Sequence, residues 1–498
     1  MSKEFNPKIL SDKDLEKIHE NSLRILEEVG VKFPKKRILD LFEENGFKVD
    51  YENKIVKMPR KLVEKVIDNT VKNTKNYYHK YEKLDENKRN IDSIMTIANL
   101  EYFIDFETYE KRKAKIIDIL KSIIVGNELG FKRVSCFAKP HGYDDDSVTI
   151  IQHYLLYLYS KNRLFKNQMH HSLNSAKCII EMAKVVAEND IQLKNGTLVE
   201  FEFEPINNLE FSKQDLEVVI EFSKNKMKVL TTHWCWMGFH APLTHAATLI
   251  LANANILAGI VVLMLLNPDT LFFDYIFATH SFNKNNLEMP LFGGPNQAIF
   301  AMAGKQLADF YGFKYCLASS GITDSIENNY QSGFEKGVNA ALAFVAGVDN
   351  VGVRGIIGAD QGVNLEQLII DSEMDKYFNF IFNRKINVNE KTVDFEYIKS
   401  LGIGKDFLNS PGHDERLKEN YWDSDIFVNE LYKDWSPGKS NEKIEGKLKE
   451  ILKNNFPPGL VIAKEKEKKL DEIIKSYLGD SIYNKFKKEL EKAKKTKL

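Results

Sequence analysis

This chain of 498 residues has few cysteines and almost no net charge. The four cysteines, Cys136, Cys178, Cys235 and Cys316, are scattered and form no CxxC pair, which argues against a disulfide framework. The formal net charge is −1, so no strong field would attract the chain to nucleic acid or to an anionic membrane. The first residues also lack the apolar core of a signal peptide. These absences predict a protein of the reducing cytoplasm.

Motifs for tightly held cofactors and metals are missing as well. The sequence contains no GxGxxG, GxxxxGK[ST] or DxHxxG segment, the patterns that hold dinucleotides, nucleoside phosphates and cobalamin. Seven histidines lie between His153 and His280, but none forms HExxH or a Cys/His set with the spacing of zinc ligands. Histidines that line a pocket or bond within the core are favoured. We therefore expect no metal site and no cofactor held tightly by this chain.

One apolar run, from Ala246 to Leu266, is long enough to span a bilayer. Asn253 and Asn255 argue against a membrane span. Gly259 is expected to divide the run into a helix and a following strand that is rich in β-branched residues and buried on both faces. The run therefore predicts part of a soluble core.

Strand-like and helix-like segments alternate from about residue 131 onward. The strand-like runs are 133–138, 163–170, 197–204, 228–234, 260–266, 270–277, 314–319 and 351–356. About eight strands with interleaved helices match a (β/α)8 barrel, whereas an open doubly wound sheet would usually carry a glycine-rich phosphate loop. We predict an α/β protein with an N-terminal helical and extended cap (1–130), a TIM barrel catalytic domain (131–400) and a C-terminal helical extension (401–498).

The segment from Gly293 to Glu373 carries the most specific pattern. It contains a glycine-rich turn, then QLADFYGF, TDS, the stretch Gln331 to Glu335, AGVDNVG and LEQLIIDSE. Together with LSDKDLEKIHENSLRILEEVGVKF near the N-terminus and YFIDFETYEKRKAKIIDI from Tyr102 to Ile119, this ordered set resembles the trimethylamine methyltransferase family. The resemblance covers nearly the whole chain. It departs at WMGFHAPLTHAAT, where bulky residues replace a stretch that is more often rich in Gly and Ala.

The resemblance implies a barrel enzyme that moves a methyl group from an amine to the Co(I) corrinoid of a separate small protein. The corrinoid (cobalamin) would then be presented by a partner. The founding trimethylamine enzymes carry pyrrolysine, whereas this chain has only standard residues. It resembles the branch whose recognised substrates are quaternary amines such as glycine betaine and related betaines. We also expect a homo-oligomer, and neither nucleic acid nor membrane as a partner.

Such a reaction needs little chemistry from the protein. A quaternary nitrogen leaves as a neutral tertiary amine, so no acid has to protonate it, and Co(I) is itself the nucleophile. The site has to align and desolvate the methyl group. This agrees with a chain that offers aromatic rings and carboxylates but no zinc set, triad or reactive cysteine.

Aromatic residues at predicted strand ends are the candidates for binding a quaternary ammonium ion, because such an ion cannot donate a hydrogen bond and is best held by ring faces. Each ring taken singly is more simply explained as a cap on the barrel core. The candidate substrate-binding rings at predicted strand ends are Trp234, Trp236 and Tyr275, with Phe273 beside the last. Tyr102 and Phe103 are further candidates in the extended segment before the barrel, where the chain could cover its mouth.

Carboxylates near the same strand ends could bind a cation or move a proton. Asp324 and Glu335 fall within the family-like segment and are the candidate catalytic residues, with Gln331 as a substrate-binding residue beside them. Glu202, Glu204, Asp274 and Asp360 are further acidic candidates; for Glu202 and Asp274 a solvated charge or a structural ion pair is favoured. Arg354 ends a predicted strand and could bind a substrate carboxylate, or form a structural salt bridge with Asp324 or Asp360.

Two other functions stay open from sequence. A barrel could bind a cationic osmolyte or scaffold a corrinoid protein without turnover. The same fold could also serve a lyase or decarboxylase of corrinoid or porphyrin metabolism, since a fold does not fix a function. Methyl transfer to free cobalamin would separate the first hypothesis from these two.

Overall fold

The fold is taken from a computed structural model that describes most of the chain. The described residues are 7–81, 94–95, 100–131, 134, 138–161, 172–268, 275–313, 316–318, 320–349, 352–382, 384, 386–390, 392–408 and 413–497. The predicted strands 133–138 and 163–170 therefore lie mostly or wholly outside the described residues, as do Cys136, His170, His171, Phe273 and Asp274.

Helices account for most of the regular structure. They are α1 (Asp12–Glu28), α2 (Lys36–Glu44), α3 (Arg60–Tyr81), α4 (Ile116–Glu128), α5 (Asp145–Tyr159), α6 (Leu173–Val186), α7 (Asp190–Lys194), α8 (Lys213–Lys224), α9 (His245–Leu266), α10 (Asn296–Tyr311), α11 (Tyr330–Val345), α12 (Leu365–Phe382), α13 (Phe395–Leu401), α14 (His413–Asn420), α15 (Lys439–Asn455) and α16 (Lys464–Lys494), with a 3-10 turn at Tyr432–Asp434.

The strands between these helices are short. They are β1 (Val31–Lys32), β2 (Lys48–Asp50), β3 (Ile55–Lys57), β4 (Ile94–Met95), β5 (Tyr102–Ile104), β6 (Lys111–Lys113), β7 (Phe201–Phe203), β8 (Pro205–Asn207), β9 (Glu210–Phe211), β10 (Val229–Thr231), β11 (Trp236–Met237), β12 (Tyr275–Phe277), β13 (His280–Asn283), β14 (Asn286–Leu291), β15 (Cys316–Ala318), β16 (Val353–Arg354), β17 (Ile356–Ile357) and β18 (Gly362–Val363).

Parallel pairing recurs where the sequence predicts barrel strands. β7 pairs with β10, β12 with β15, and β16 with β4, each in parallel. Every residue of β7, β10 and β12 is buried, as expected of strands that are covered on both faces. The α/β class is thus confirmed. Within the described residues these pairs do not join into one closed sheet, so the closed eight-stranded barrel stays a prediction.

An antiparallel hairpin departs from the all-parallel expectation. β13 runs antiparallel to β14, with Ser281 opposite Leu291 and Asn283 opposite Asn286. Only two residues separate these strands, too few for the crossover that a parallel pair requires. The hairpin joins β11 at one edge. The expectation of only parallel strands between 131 and 356 is therefore wrong here.

The long apolar run forms one continuous helix, so the predicted division at Gly259 is wrong. A Cβ atom on Gly259 would lie 2.0 Å from the Thr231 hydroxyl, so this glycine allows α9 to pack closely against β10 rather than ending the helix. α9 is the one helix of the described residues long and apolar enough for a membrane span, but most of its apolar window is buried. Its asparagines bond internally: Asn253 accepts from the Tyr275 hydroxyl at 2.8 Å.

The two ends of the chain pack onto this central region. Apolar positions at helical spacing over residues 10–29 predict a helix with Ser11 and Gly30 as its capping residues. In the structure, Ser11 caps α1, and Gly30, with a φ of +86°, follows its end. The Ser22 hydroxyl of α1 donates to the Ile250 carbonyl of α9 at 2.9 Å. At the other end, the hydroxyl of Tyr154 in α5 donates to Asp471 of α16 at 2.7 Å. Both terminal helices thus cover core helices.

Candidate functional site

A pocket of about 400 Å³ lies beyond the carboxyl ends of β7 and β10. Because these two strands are parallel and paired at Thr231 opposite Phe203, the residues that follow them come out at the same edge. Such an edge is where α/β proteins usually place ligands. The lining residues are Glu204, Pro205, Ile206, Trp234, Trp236, His240, Pro290, Phe292, Ala359 and Asp360.

Aromatic rings form one wall of this pocket. Trp234 and Phe292 meet edge to face, with ring centroids 6.1 Å apart and an interplanar angle of 80°. Trp236 packs against His240 at 5.0 Å, and its backbone N–H donates to His240 Nδ1 at 3.4 Å. Both tryptophans are half-buried, so part of each ring stays accessible. Accessible ring faces of this kind attract an organic cation.

Two carboxyl groups face the same space. Glu204 Oε2 and Asp360 Oδ1 are closed to bulk water and have no hydrogen-bond partner among the described residues. Burial raises the pKa of Glu204 well above its ordinary value, and the nearby Glu202 adds to this. Burial likewise raises the pKa of Asp360 to about 7. A buried carboxyl without a donor is costly when ionised, so a bound cation would relieve that cost.

The loop that carries Asp360 is held in a strained conformation. Ala359 and Asp360 have φ values of +51° and +66°, in the left-handed region that residues other than glycine rarely adopt. The backbone N–H groups of Gly358 and Ala359 donate to the carbonyls of Ser325 (2.6 Å) and Thr323 (2.9 Å). The TDS segment of the sequence thus fixes the position of one pocket wall.

Asp324 and Glu335 form a network next to the pocket and do not line it. Asp324 accepts hydrogen bonds from the backbone N–H groups of Phe292 (2.9 Å) and Gly293 (2.8 Å). Glu335 Oε2 accepts from the Thr323 hydroxyl (2.5 Å) and from the Asp324 N–H (2.9 Å). Desolvation raises the pKa of Asp324 to about 6, against the pull of its two backbone donors. The network positions Phe292, which is a wall residue.

Gln331 belongs to this network too. Its side-chain amide donates to Glu335 Oε1 at 2.8 Å. A Cβ atom on Gly293 would lie 2.2 Å from Glu335 Oε2, so a glycine is needed where the carboxylate approaches the turn. The structure places these residues close together. Their side chains bond to one another and do not line the pocket.

The predicted rings Tyr102, Phe103 and Tyr275 lie away from the pocket lining. Lys111 and Lys113 each place an ammonium group 4.4 Å from the Tyr102 ring centroid. Phe103 is buried beneath a guanidinium group. Tyr275 is fully buried and bonds to α9. Of the five predicted rings, the structure brings Trp234 and Trp236 together at the pocket.

Arg354 lies in the interior and pairs with an acid of α12. It is fully buried, and its Nε and Nη2 atoms donate to Asp375 at 2.5 to 3.1 Å. This partner differs from Asp324 and Asp360, the two that the sequence suggests. A second buried pair joins Lys336 to Asp371 at 2.8 Å. Arg354 therefore acts as a structural ion pair in this arrangement and does not reach the pocket.

From the sequence, Phe292 has no predicted role at the site, and His240 stands only among the histidines expected to line a pocket or to bond within the core. Phe292 directly precedes the glycine turn that opens the family-like segment, and His240 stands in the stretch that departs from the family pattern, so both positions had a signal. Ile206 carries no such signal, because an exposed apolar residue is ordinary, and nothing in the sequence around Pro290, which is buried, marks it as a pocket residue. No group of three metal-ligating side chains occurs among the described residues.

Known proteins resemble this chain over most of its length. The family model described as trimethylamine methyltransferase matches residues 2–477. The chain is 25% identical over 464 residues to the glycine betaine methyltransferase of Desulfitobacterium hafniense (strain Y51), covering 91% of this chain and 94% of that protein. It is 27% identical over 281 residues to trimethylamine methyltransferase MttB1 of Methanosarcina acetivorans, covering 55% of this chain and 56% of that protein.

Among solved structures, the monomethylamine methyltransferase (MtmB) of Methanosarcina barkeri aligns with a TM-score of 0.44 and 11% identity, covering 92% of this chain and 89% of that chain. A hydroxylamine complex of MtmB aligns with a TM-score of 0.45 and 10% identity, covering 99% of this chain and 89% of that chain.

Proposed function

We propose that this chain, which belongs to the trimethylamine methyltransferase family, transfers a methyl group from a quaternary amine to the corrinoid of a separate partner protein. The observation that carries the proposal is the pocket lined by two tryptophans, Trp234 and Trp236, and by two carboxyl groups that each keep one oxygen without a donor among the described residues. A quaternary ammonium ion fits this environment, because ring faces and negative charge both attract it and neither requires it to donate a hydrogen bond.

The residues of the pocket hold the amine and exclude water. The rings of Trp234 and Phe292 remove solvent from one side of the ammonium group, while Glu204 and Asp360 balance its charge. The carbon–nitrogen bond breaks with its electron pair on nitrogen, and the methyl group passes to Co(I) of the acceptor. A neutral tertiary amine is released, so no side chain has to supply a proton.

Asp324 and Glu335 are proposed as positioning residues of this reaction. Their oxygens accept from the backbone at Phe292, Gly293 and Asp324 itself, which fixes a wall of the pocket. Alignment of the methyl group against an incoming acceptor depends on such fixed walls, because a small misplacement reduces the rate of a displacement strongly.

The wider context of the proposal follows from the family. We propose that the short parallel strand pairs belong to a (β/α)8 barrel of about residues 131–400, with 1–130 as a cap and 401–498 as an extension. The acceptor is the cobalamin-type corrinoid of a partner protein, since this sequence has no corrinoid-binding motif of its own. We further propose a cytoplasmic homo-oligomer.

Methyl transfer to added cob(I)alamin tests the proposal. Purified chain is mixed with cob(I)alamin and a panel of quaternary amines, and methylcobalamin formation is followed by absorbance. We expect transfer from at least one quaternary amine and no transfer from its tertiary analogue. Tight binding of an amine with no methyl transfer, with free cobalamin or with a corrinoid protein, would instead indicate a non-catalytic cation-binding protein.

A further inference from the structure

Among the described residues, the pocket lining contains two acidic side chains and, apart from a half-buried histidine, no basic side chain. Glu204 follows β7 and Asp360 follows β17, so the two carboxyl groups enter from different parts of the fold. None of the ten lining residues is a lysine or an arginine. Burial also lowers the pKa of His240, so that ring is neutral near pH 7.

We propose, on the basis of the function proposed above, that the methyl donor is a quaternary ammonium ion with a net positive charge, one that carries no carboxylate. Three observations together carry this inference: two carboxyl groups that each keep one oxygen without a donor, the aromatic wall, and the absence of a basic lining residue among the described residues.

The chemistry of the alternatives supports this choice. In glycine betaine a single methylene separates the ammonium nitrogen from the carboxylate, so both ends must lie in the same pocket. With the ammonium group against Trp234 and Trp236, the carboxylate would lie beside Glu204 and Asp360. Like charges in a partly desolvated space repel each other. Choline has the same ammonium group and replaces the carboxylate with a hydroxymethyl group.

A hydroxyl group is also a suitable partner for the unpartnered oxygens. Glu204 Oε2 and Asp360 Oδ1 lack donors, and a hydroxyl on the ligand can donate to one of them. An ionised carboxyl that gains both a cation and a donor recovers much of the cost of its burial. The arginine that could have bound a carboxylate, Arg354, is occupied by Asp375 in the interior.

Methyl transfer from such a donor to Co(I) balances in atoms and electrons. One carbon–nitrogen bond breaks and its electron pair stays on nitrogen, so choline becomes dimethylaminoethanol. One carbon–cobalt bond forms with the electron pair of Co(I), which becomes Co(III). No proton and no further oxidant or reductant is needed.

Calorimetric titration of the full chain with choline and with glycine betaine tests the inference, because the two ligands differ only at the polar end. At pH 8 we expect choline to bind at least about tenfold more tightly, a difference of about 1.4 kcal/mol. Lowering the pH to 6 should weaken the binding of choline but not that of glycine betaine. Neutral carboxyl groups no longer attract a cation or repel a carboxylate.

Two variants test whether Asp360 and Glu204 cause the preference for choline. Asp360→Asn keeps the size of the side chain and is compatible with the left-handed backbone. It should weaken the binding of choline about tenfold at pH 8. The binding of glycine betaine should be unchanged or tighter. Glu204→Gln should act in the same direction and tests the second carboxyl independently of that loop. Asp480→Asn, which removes an exposed acid of α16, serves as the control and should change neither ligand.

Methyl transfer to cob(I)alamin distinguishes failure of this inference from failure of the proposed function. Choline bound more tightly and demethylated supports both. Glycine betaine bound at least as tightly as choline, with methyl transfer, overturns the inference and leaves the proposed function intact. Absence of methyl transfer from every quaternary amine, with or without binding, overturns both.

Discussion

Two pairs of acidic side chains lie around the same pocket and differ in their partners. Asp324 and Glu335 accept hydrogen bonds through all four of their carboxyl oxygens, three of which bond to backbone or hydroxyl donors. Glu204 and Asp360 each keep one oxygen without a donor among the described residues. A carboxyl group whose oxygens are all bonded holds structure in place, whereas one with an unbonded oxygen is available to a ligand.

This difference explains why the family-like segment and the pocket lining overlap so little. A fully bonded network such as that of Glu335 fails when one member changes, because buried partners are left without bonds. The acids with an unbonded oxygen are costly before a ligand arrives, and a ligand can offset that cost. Substitutions of Asp324 or Glu335 should therefore reduce mainly stability, whereas substitutions of Glu204 or Asp360 should change mainly ligand binding.

The largest expected effect is the loss of a fully buried charge that is paired with an acid of the interior. Arg354→Met leaves the Asp375 carboxylate buried without its cation, which should lower the free energy of unfolding by about 3–5 kcal/mol. Urea unfolding of the variant measures this. Arg24→Met, which breaks an exposed pair with Glu28, is the matched control, with an expected change within about 0.5 kcal/mol.

A role for Arg354 in binding a substrate carboxylate predicts something else. Arg354→Lys would then retain the unfolding free energy and lose glycine betaine binding alone. That result would place Arg354 with the ligand-binding groups and reverse its assignment as a structural ion pair.

Breaking the bonded pair of acids should have the next largest effect. Glu335→Ala removes the acceptor of Thr323, Gln331 and the Asp324 N–H, so we expect a loss of about 2–3 kcal/mol in unfolding free energy. Ligand affinity should fall with it, because Phe292 loses its fixed position. Glu327→Ala, an exposed neighbour, is the control. Unchanged stability with abolished methyl transfer would mean that Glu335 touches the substrate.

The sequence predicted a good part of this arrangement. Periodicity and capping residues located α1, with Ser11 as its cap, and the strand-like runs located β7, β10, β12 and β15. The prediction that the helix ends at Gly259 was wrong. A glycine that ends a helix and a glycine that lets a strand pack closely against a helix look the same in sequence. Close packing against Thr231 is a property of two distant segments, which local patterns do not contain.

The site was predictable only in the part that depends on strand ends. Trp234 and Trp236 follow a strand-like run, and the structure places both at the pocket. Tyr275 also follows a strand-like run, and Tyr102 lies in the extended segment expected to cover the barrel mouth. In the structure, Tyr102 is covered by lysine side chains and Tyr275 bonds inside the core. Which oxygen of Glu204 or Asp360 lacks a donor depends on the whole surrounding fold, so sequence could name these acids but not rank them.

A direct test of the aromatic wall compares two rings. Trp236→Ala should weaken binding of tetramethylammonium about 30-fold, since a desolvated cation–π contact contributes about 2 kcal/mol. Tyr102→Ala should leave affinity unchanged, because the Tyr102 ring already contacts Lys111 and Lys113. Calorimetric titration of both variants gives the answer. Weaker binding in Tyr102→Ala alone would move the cation site to the region of β5.

The smallest expected effect is on the pH dependence of stability, and it concerns an acid with an unbonded oxygen. The pKa of Asp360 rises from its ordinary value of 3.8 to about 7 because the folded protein shields the carboxyl from water. A raised pKa means that the folded state holds a proton that the unfolded state releases. The stability that this group contributes is therefore full below about pH 3.8 and is lost as the pH rises to about 7.

Asp360→Asn should remove that part of the pH dependence. Since the residue is half-buried, we expect a change on the order of 1 kcal/mol between pH 4 and pH 7. Thermal unfolding across this range, with Asp480→Asn as a control that keeps the slope of the parent chain, measures it. An unchanged slope in Asp360→Asn would mean that Asp360 is solvated and ionised in the free protein. The cation would then enter a pocket already charged, and its affinity would show no rise with pH.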